Sequence, residues 1–361
     1  MIDEGRLTAT YKLALLLGII DAAAMSPGES ELPTRLIAER VLTLYYPQTR
    51  IYVDGQGTAR TPRQISTKTS AVLTAVEGLR RVAQSRRCRG IDDVRSVFSV
   101  EYDDTLDTVE DTFVKYPIPL MQVVGAGVVP FLYEVDWPEG TSVKSLRRAS
   151  TDRIRLFEGV ADRLVVLGPM LRPLIELHWT RDVARWTRLP TEDEALHAHL
   201  FGSERTGFPR TFVADLSDIQ HGNCFYCGER LGSRPEVDHF LAWSRWPNNA
   251  IENLVVADRC NGAKSDHLAA TEHLVRWRVR LEMRSADLST IAHDHRWLSS
   301  PDRSGALVQT TYAHVALGTP LWLRGKEFEI ASGPMWADPP DRPPDRVTAH
   351  RTVGLPRRGP S

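Results

Sequence analysis

The sequence has little of what holds secreted or membrane proteins together. Its 361 residues include four cysteines, at positions 88, 224, 227 and 260. These are too few and too clustered for a disulfide framework, so we expect a reducing, cytoplasmic location. The membrane-like stretch Leu13–Ile20 is far shorter than the ~20 residues that span a bilayer, so no membrane contact is expected. Asp3 and Glu4 ahead of it argue against a cleaved signal peptide.

An excess of positive charge is also missing. There are 45 Lys and Arg residues against 46 Asp and Glu residues, for a formal net charge of -1. No whole-molecule field therefore attracts nucleic acid, and any such contact must come from local patches. The basic cluster between Arg80 and Arg89 is one candidate patch, or else a solvated helix end. A composition of 42% hydrophobic and 25% charged residues is typical of an ordinary globular protein.

The pattern along the chain predicts a mainly α protein with a small α+β domain. Apolar spacing predicts helices over 7–25, 34–46 and 67–86, helical structure again over about 150–200, and a further helix over 304–317. Proline, glycine and β-branched residues between Tyr116 and Trp137 predict short strands or an irregular loop. We therefore expect four regions: a helical N-terminal domain with a recognition or regulatory role (1–205), the small α+β domain (206–285), a C-terminal helix with short strands (286–332), and a disordered tail rich in Pro, Arg and Asp (333–361).

The chemistry-bearing residues are concentrated between Cys224 and Asp266. A CxxC pair is followed by an Asp-His dipeptide, an Asn before a strand-like LVV, and a closing Asn and Lys; these residues are Cys224, Cys227, Asp238, His239, Asn253, Asn261 and Lys264. This order resembles the HNH endonuclease family. The closing NGAKSD is also similar to the last motif of the HNH domain in CRISPR effector nucleases. The resemblance implies a ββα-metal nuclease fold for 206–285.

Hydrolysis of a phosphodiester bond explains why these residue types are needed. His239 is the candidate general base, because a neutral imidazole accepts a proton near neutral pH. Asp238 and Asn261 offer hard oxygen ligands for Mg²⁺ or Mn²⁺. The resemblance gives Asn253 the role of bracing the backbone that orients His239. Lys264, with Arg245 and Ser244, is expected to contact the phosphate backbone of the substrate, which we expect to be double-stranded DNA.

The cysteines depart from the fuller family pattern. Many members carry a second CxxC, but Ala257 takes the place of its first cysteine and Cys260 stands alone. Cys224, Cys227 and Cys260 therefore form an incomplete zinc knuckle, since structural zinc normally has four protein ligands. His221 or Asp258 could supply the fourth ligand. The alternative is that the three cysteines brace the strands without metal.

The same motif residues are compatible with functions other than DNA cleavage. The residues of the motif are expected to contact the phosphate and not the sugar, so they do not distinguish DNA from RNA. An RNA-directed nuclease or toxin is therefore one alternative. A non-catalytic DNA-binding module is another. The helical N-terminal region resembles accessory regions of uncharacterised prokaryotic HNH proteins, which suggests restriction or anti-phage defence together with partner proteins of such a system.

Overall fold

The computed structural model describes residues 9–66, 70–86, 88, 90–124, 127–189, 194–202 and 207–336. Within them the chain is mainly helical with small antiparallel sheets, which confirms the expected fold class at this level. The helices are α1 Tyr11–Met25, α2 Thr34–Gln48, α3 Ala71–Gln84, α4 Ile91–Val97, α5 Ser99–Lys115, α6 Pro117–Leu120, α7 Val143–Ala149, α8 Val160–Thr187, α9 Glu194–Phe201, α10 Arg210–Ile219, α11 Arg259–Lys264, α12 Thr271–His295 and α13 Pro301–Ala313. The strands are β1 Glu31–Pro33, β2 Tyr52–Val53, β3 Ala59–Arg60, β4 Val123–Val124, β5 Gly127–Val128, β6 Tyr133–Glu134, β7 Arg153–Leu156, β8 Glu236–His239, β9 Leu254–Ala257, β10 Pro320–Arg324 and β11 Glu327–Ile330.

Helix α1 lies at the centre of the N-terminal region. Every residue from Leu13 to Ala24 except Asp21 is buried, and a helix buried on all sides is stable only when other elements surround it. Helix α1 packs against α2, α8 and α13. Gly18 allows the close approach to α2, because a Cβ there would lie 3.1 Å from the Val41 side chain. The predicted helix over 7–25 is confirmed from Tyr11 onward, and residues 1–8 lie outside the described part.

The predicted helix over 67–86 appears as α3. Ser70 caps its N-terminus, since its hydroxyl accepts a hydrogen bond of 3.2 Å from the backbone N–H of Leu73. Residues 67–69 lie outside the described part. The apolar stripe faces inward through Val72, Val76 and Leu79. Helix α2 extends two residues beyond the predicted range of 34–46.

Several elements were not predicted, among them β1–β3, α4 and α5, and β7 lies where a helix was expected. Helical structure was predicted from about residue 150, but residues 153–156 form β7, the middle strand of the sheet β1-β7-β6, and the helix begins only at Val160. Arg153 and Arg155 are exposed while Ile154 and Leu156 are buried. This alternation over four residues is typical of a half-buried strand, but it is too short to stand out beside the long apolar pattern of α8.

The expectation of short strands or an irregular loop between Tyr116 and Trp137 is confirmed by α6, β4, β5 and β6. The side chain of Gln122 organises this segment. Its Oε1 accepts hydrogen bonds from the backbone N–H groups of Phe131, Leu132 and Tyr133, at 2.7 to 3.2 Å. Its Nε2 donates to the Tyr133 carbonyl at 2.8 Å. A single buried amide thus satisfies backbone groups that no sheet pairs.

The expected boundary at residue 285 falls inside α12. The helix bends at Arg284, whose backbone angles are not helical, and continues to His295. Beyond the bend, Leu288 and Ile291 pack in the same apolar cluster as Phe212 and Leu216 of α10. The second half of α12 therefore packs with the 206–285 region, and Trp297 just after the helix joins the same cluster.

The first residues of the expected disordered tail, 333–336, belong to the described part, and two of them contact the rest of the chain. The backbone N–H of Met335 donates to the Tyr312 carbonyl at 3.0 Å, and the guanidinium of Arg278 lies 4.4 Å from the ring centre of Trp336. These two apolar side chains anchor the start of the segment. The remainder, 337–361, lies outside the described residues.

The regions before and after residue 206 pack directly on each other. Trp246 lies against Gly168 of α8 and shares its apolar cluster with the residues of α1. On α13, the Thr310 hydroxyl donates to the Ala24 carbonyl at 3.0 Å. No helix in the described residues combines the length and the apolar character that crossing a membrane requires.

Candidate active site

Two antiparallel strands and the short helix after them form the frame of the site. Strands β8 and β9 pair with Glu236 opposite Ala257 and His239 opposite Leu254. All four residues of β9 are buried, whereas the burial of β8 ranges from exposed Glu236 to buried Asp238. Helix α11 begins directly after Asp258. The Asp-His dipeptide, the candidate asparagines and the cysteines are thereby gathered around one strand pair.

His239 is the last residue of β8 and is half-buried. Its Nε2 lies 2.8 Å from Oδ1 of Asn249. A carbonyl oxygen only accepts, so this contact places the proton on Nε2 and leaves the lone pair on Nδ1. The rings of Trp243 and Phe208 lie at 5.5 and 6.4 Å from the imidazole. Burial lowers the pKa of His239, against the opposing effect of the Asn249 hydrogen bond, so the neutral imidazole is favoured.

The side chain of Asp238 lies on the face of β8 opposite to His239, where it forms a buried ion pair. Its Oδ2 lies 3.0 Å from Nζ of Lys264 and accepts a 2.6 Å hydrogen bond from the Tyr226 hydroxyl. The Lys264 side chain is fully buried, and its ammonium also donates to the His239 carbonyl at 3.0 Å. The expectation that Lys264 contacts a substrate phosphate therefore disagrees with its position. Its charge is used inside the protein, because a buried carboxylate needs a partner.

Asn261 lies on α11 and faces the start of β8. Its Nδ2 donates a 2.7 Å hydrogen bond to the carboxylate of Glu236, which is exposed. Fixing the amide nitrogen in this way leaves Oδ1 as the oxygen that a cation could use. Residues 236 and 238 share one face of β8, since side chains on a strand alternate. The structure thus places the Glu236 carboxylate beside Asn261, one of the two predicted metal ligands.

Asn253 is fully buried and holds the backbone that follows His239. Its side chain accepts from the Leu241 N–H at 2.9 Å and donates to the carbonyls of Leu241 and Asn248 at 3.1 and 3.0 Å. The backbone carbonyl of Asn253 accepts a hydrogen bond from the backbone N–H of Phe240 at 2.7 Å. These bonds tie the two ends of the loop 240–253 together. They fit the bracing role that the resemblance implies for this residue.

The three cysteines of the motif form a cluster. The Sγ atoms of Cys224, Cys227 and Cys260 all lie within 4.8 Å of one another, a group that could hold a metal ion. Neither suggested fourth ligand joins them. The His221 ring lies 3.0 Å from the guanidinium of Arg284, and the Asp258 carboxylate accepts from the Gly232 N–H at 3.3 Å.

The thiols of the cluster differ in acidity. Burial and the neighbouring Cys224 raise the pKa of Cys260 to about 12. At Cys224 burial also raises the pKa, but hydrogen bonds from backbone N–H groups, first that of Cys227, outweigh it and the pKa is lowered. Cys224 therefore forms a thiolate, the form that binds metal, more readily than Cys260 does.

Basic side chains near the site are largely engaged within the protein. Arg276 donates to the carbonyls of Phe225, at 2.6 Å, and Tyr226. Arg280 is buried and donates to the Leu254 carbonyl at 2.8 Å. Both guanidinium groups thus bind backbone carbonyls of the protein, and they are not candidates for contact with a substrate phosphate. Half-buried Arg245 lies 3.4 Å from the Asp266 carbonyl, and Ser244 beside it is exposed, so both lie nearer the surface.

Three residues of the site were missed by sequence reasoning. Asn249 contacts His239, Tyr226 contacts Asp238, and Glu236 contacts Asn261. The position of Glu236 was readable, because residues two apart on a strand share a face. Tyr226 sits inside the CxxC pair and Asn249 in an irregular loop, and neither position has a periodic signal.

Comparison of the whole chain with curated proteins and with solved structures finds no match. Comparison with protein families does find one, in the N-terminal part of the chain. A family model matches residues 1–200, which is more than half of the chain and ends before β8. The candidate site therefore lies outside the matched residues. Through residues 1–200, the chain belongs to the family described as a domain of unknown function (DUF8808).

Proposed function

We propose that this protein is a metal-dependent HNH endonuclease that hydrolyses phosphodiester bonds in DNA. The observation that carries the proposal is the state of His239 at the end of β8. Its Nε2 proton is held by Asn249 and its Nδ1 lone pair is left to accept a proton. Together with the strand pair and α11, this is the arrangement that the resemblance implies for a general base.

The protonation state of His239 supports the same role. A general base must be neutral at the working pH, and burial lowers the pKa of this imidazole. The fixed Asn249 contact and the flanking ring of Trp243 restrict its rotation. In the proposed reaction, Nδ1 takes a proton from the attacking water. Positioned bases of this kind contribute typically 10²- to 10⁴-fold to a rate.

The donor set fits a hard divalent cation. Asp238 supplies a carboxylate whose Oδ2 is occupied by Lys264 and Tyr226, and Asn261 supplies an amide oxygen. Carboxylate and amide oxygens are the ligands that Mg²⁺ and Mn²⁺ prefer. Such an ion would neutralise charge on the phosphoryl group and lower the pKa of a bound water. Glu236, bonded to Asn261, adds negative charge to the same side of the strand.

One observation favours the alternative of a non-catalytic DNA-binding module. The Lys264 ammonium already neutralises Asp238 in a buried pair, and a cation would have to share this carboxylate with it. The two functions separate on cleavage, since a binding module retains DNA without cutting it.

Cleavage of plasmid DNA in Mg²⁺ or Mn²⁺ tests the proposal. We expect His239→Ala to lower the rate at least 100-fold while its circular dichroism spectrum is unchanged, because proton transfer alone is removed. His293→Ala, which alters an exposed histidine on α12, is the matched control and should cut like the wild type. Cleavage by His239→Ala within tenfold of the wild type would refute the assignment. RNA digested in parallel distinguishes the RNA-directed alternative.

A further inference from the structure

A cavity of about 340 Å³ lies between the family-matched helices and the region that carries His239. Tyr46 and Arg80 line it from the N-terminal helices, and Trp243, Asn249 and Arg303 line it from the other side. Its volume falls at the lower end of the roughly 300–1,000 Å³ typical of small-molecule sites. Both regions contribute walls, so the cavity exists only in the full chain.

The walls combine guanidinium groups with a few carboxylates. The Arg303 side chain donates to the Pro247 carbonyl at 3.0 Å, and its buried Nε has no hydrogen-bond partner among the described residues. Arg296 lines the cavity from an exposed position at the end of α12. The Asp21 carboxylate is already paired with Arg172. Guanidinium groups in a cleft suit a phosphate, to which they donate in pairs.

The other walls suit a planar aromatic group. Trp243 and Trp297 are half-buried and line the cavity, and the Arg80 guanidinium covers the Tyr46 ring at 4.2 Å. Indole faces stack on nucleobases. Asp92 and Asp93 also line the cavity, and a carboxylate accepts hydrogen bonds from the exocyclic amino group of a base. The Trp297 ring is stacked on Phe212 with ring centres 4.4 Å apart, so at most its other face meets a base. A phosphate alone would not use the faces of Trp243 and Trp297, and an uncharged aromatic ligand would not use Arg296 and Arg303.

The cavity is connected to the proposed general base through one residue. The Trp297 indole N–H donates to the Asn249 carbonyl at 2.8 Å, and the Asn249 side chain holds His239. We propose that this cavity binds a nucleotide, with its base against Trp243 and Trp297 and its phosphate on Arg303 and Arg296, and that occupancy fixes the loop that positions His239. The effect on His239 rests on the proposed nuclease function, whereas nucleotide binding does not.

Two sources could supply this nucleotide: a free nucleotide acting as an effector, or one nucleotide of a single-stranded or frayed substrate strand. Isothermal titration of the full chain with AMP and with a (dA)₆ oligonucleotide, which carries the same base, distinguishes them when divalent cations are left out. Cleavage does not occur under these conditions, so failure of the nuclease proposal leaves the binding result readable. AMP binding identifies a free ligand, whereas binding of the oligonucleotide alone identifies a substrate nucleotide; either result supports the site.

The variants decide whether binding occurs in this cavity. We expect Arg303→Met to weaken binding at least tenfold, and Trp243→Ala at least fivefold through lost stacking. Arg296→Asn should weaken it severalfold and carries the test if Arg303→Met does not fold. Its matched control is Arg188→Asn, because Arg188 also ends a long helix with a positive φ, 61° against 50°, but is not part of the cavity. The proposal would be overturned if neither probe bound at millimolar concentration. It would also be overturned if Arg296→Asn and Trp243→Ala both bound as tightly as the wild type.

Discussion

Two asparagines share the task of holding His239, and only one was predictable. Asn253 was expected to brace the backbone after the histidine, and its amide does bond Leu241 and Asn248. The direct contact with the imidazole comes instead from Asn249, whose backbone carbonyl accepts a hydrogen bond from the indole of Trp297, far away in sequence. A motif predicts which residue types a site contains. It does not predict contacts that a distant tryptophan sets.

The buried pair of Asp238 and Lys264 yields a stability prediction. Lys264→Met removes a fully buried ammonium and leaves the carboxylate without its countercharge, so we expect the free energy of unfolding to fall by about 3–5 kcal/mol. The double variant Lys264→Met/Asp238→Asn should recover much of this loss, because the buried charge is gone. Urea titration followed by circular dichroism measures both. A loss below about 1 kcal/mol in the single variant would show that the pair is not formed in solution.

At the scale of elements, three free thiols lie close together in the segments that flank the strand pair. Because Cys227 is exposed and neither His221 nor Asp258 joins the cluster, a bound zinc ion would lack a fourth protein ligand among the described residues. We expect elemental analysis of the purified protein to find less than one zinc per chain. Chelation should abolish cleavage at concentrations that leave the circular dichroism spectrum intact. One full, tightly held equivalent of zinc would contradict this prediction.

Helices α1 and α8 meet at a buried charged cluster that makes stability depend on pH. Burial raises the pKa of Glu176 to about 7, opposed by Arg172 and reinforced by Asp21; His197 lies 3.8 Å away. The folded state therefore holds a proton that the unfolded chain has lost, and stability should fall as pH rises from about 5 to 7. Glu176→Gln should reduce this fall by about 1–3 kcal/mol.

Denaturant titrations at pH 5, 6, 7 and 8 measure the effect. The matched control is Glu282→Gln, which alters an exposed glutamate of α12 and should keep the wild-type pH profile. If Glu176→Gln keeps that profile as well, Glu176 is charged in the folded protein throughout this range.

At the scale of the whole molecule, features set by contacts between residues close in sequence were easier to predict than features set by distant residues. Helices with long apolar patterns, such as α1 and α3, and the cluster of polar residues between 224 and 266 were readable, because local spacing determines them. Strand β7 and the ordered residues Met335 and Trp336 were not, since their partners lie far along the chain. The packing of the two regions also leaves no local pattern, although it creates the cavity.

The close approach of α8 to Trp246 gives the last prediction. A Cβ on Gly168 would lie 3.0 Å from the Trp246 ring and 3.1 Å from the side chain of Ile20. Gly168→Ala should therefore lower the free energy of unfolding by about 1–3 kcal/mol, although alanine favours the helix by up to ~1 kcal/mol. Gly78→Ala on α3 is the matched control, because no atom lies within 4 Å of its Cβ position, and it should raise stability by about 0.4–1 kcal/mol. Thermal and urea unfolding of the full chain compare the two. The close contact between Gly168 and Trp246 exists only where the two regions pack. Equal stabilisation by Gly168→Ala and Gly78→Ala would therefore mean that the two regions do not pack in this way in solution.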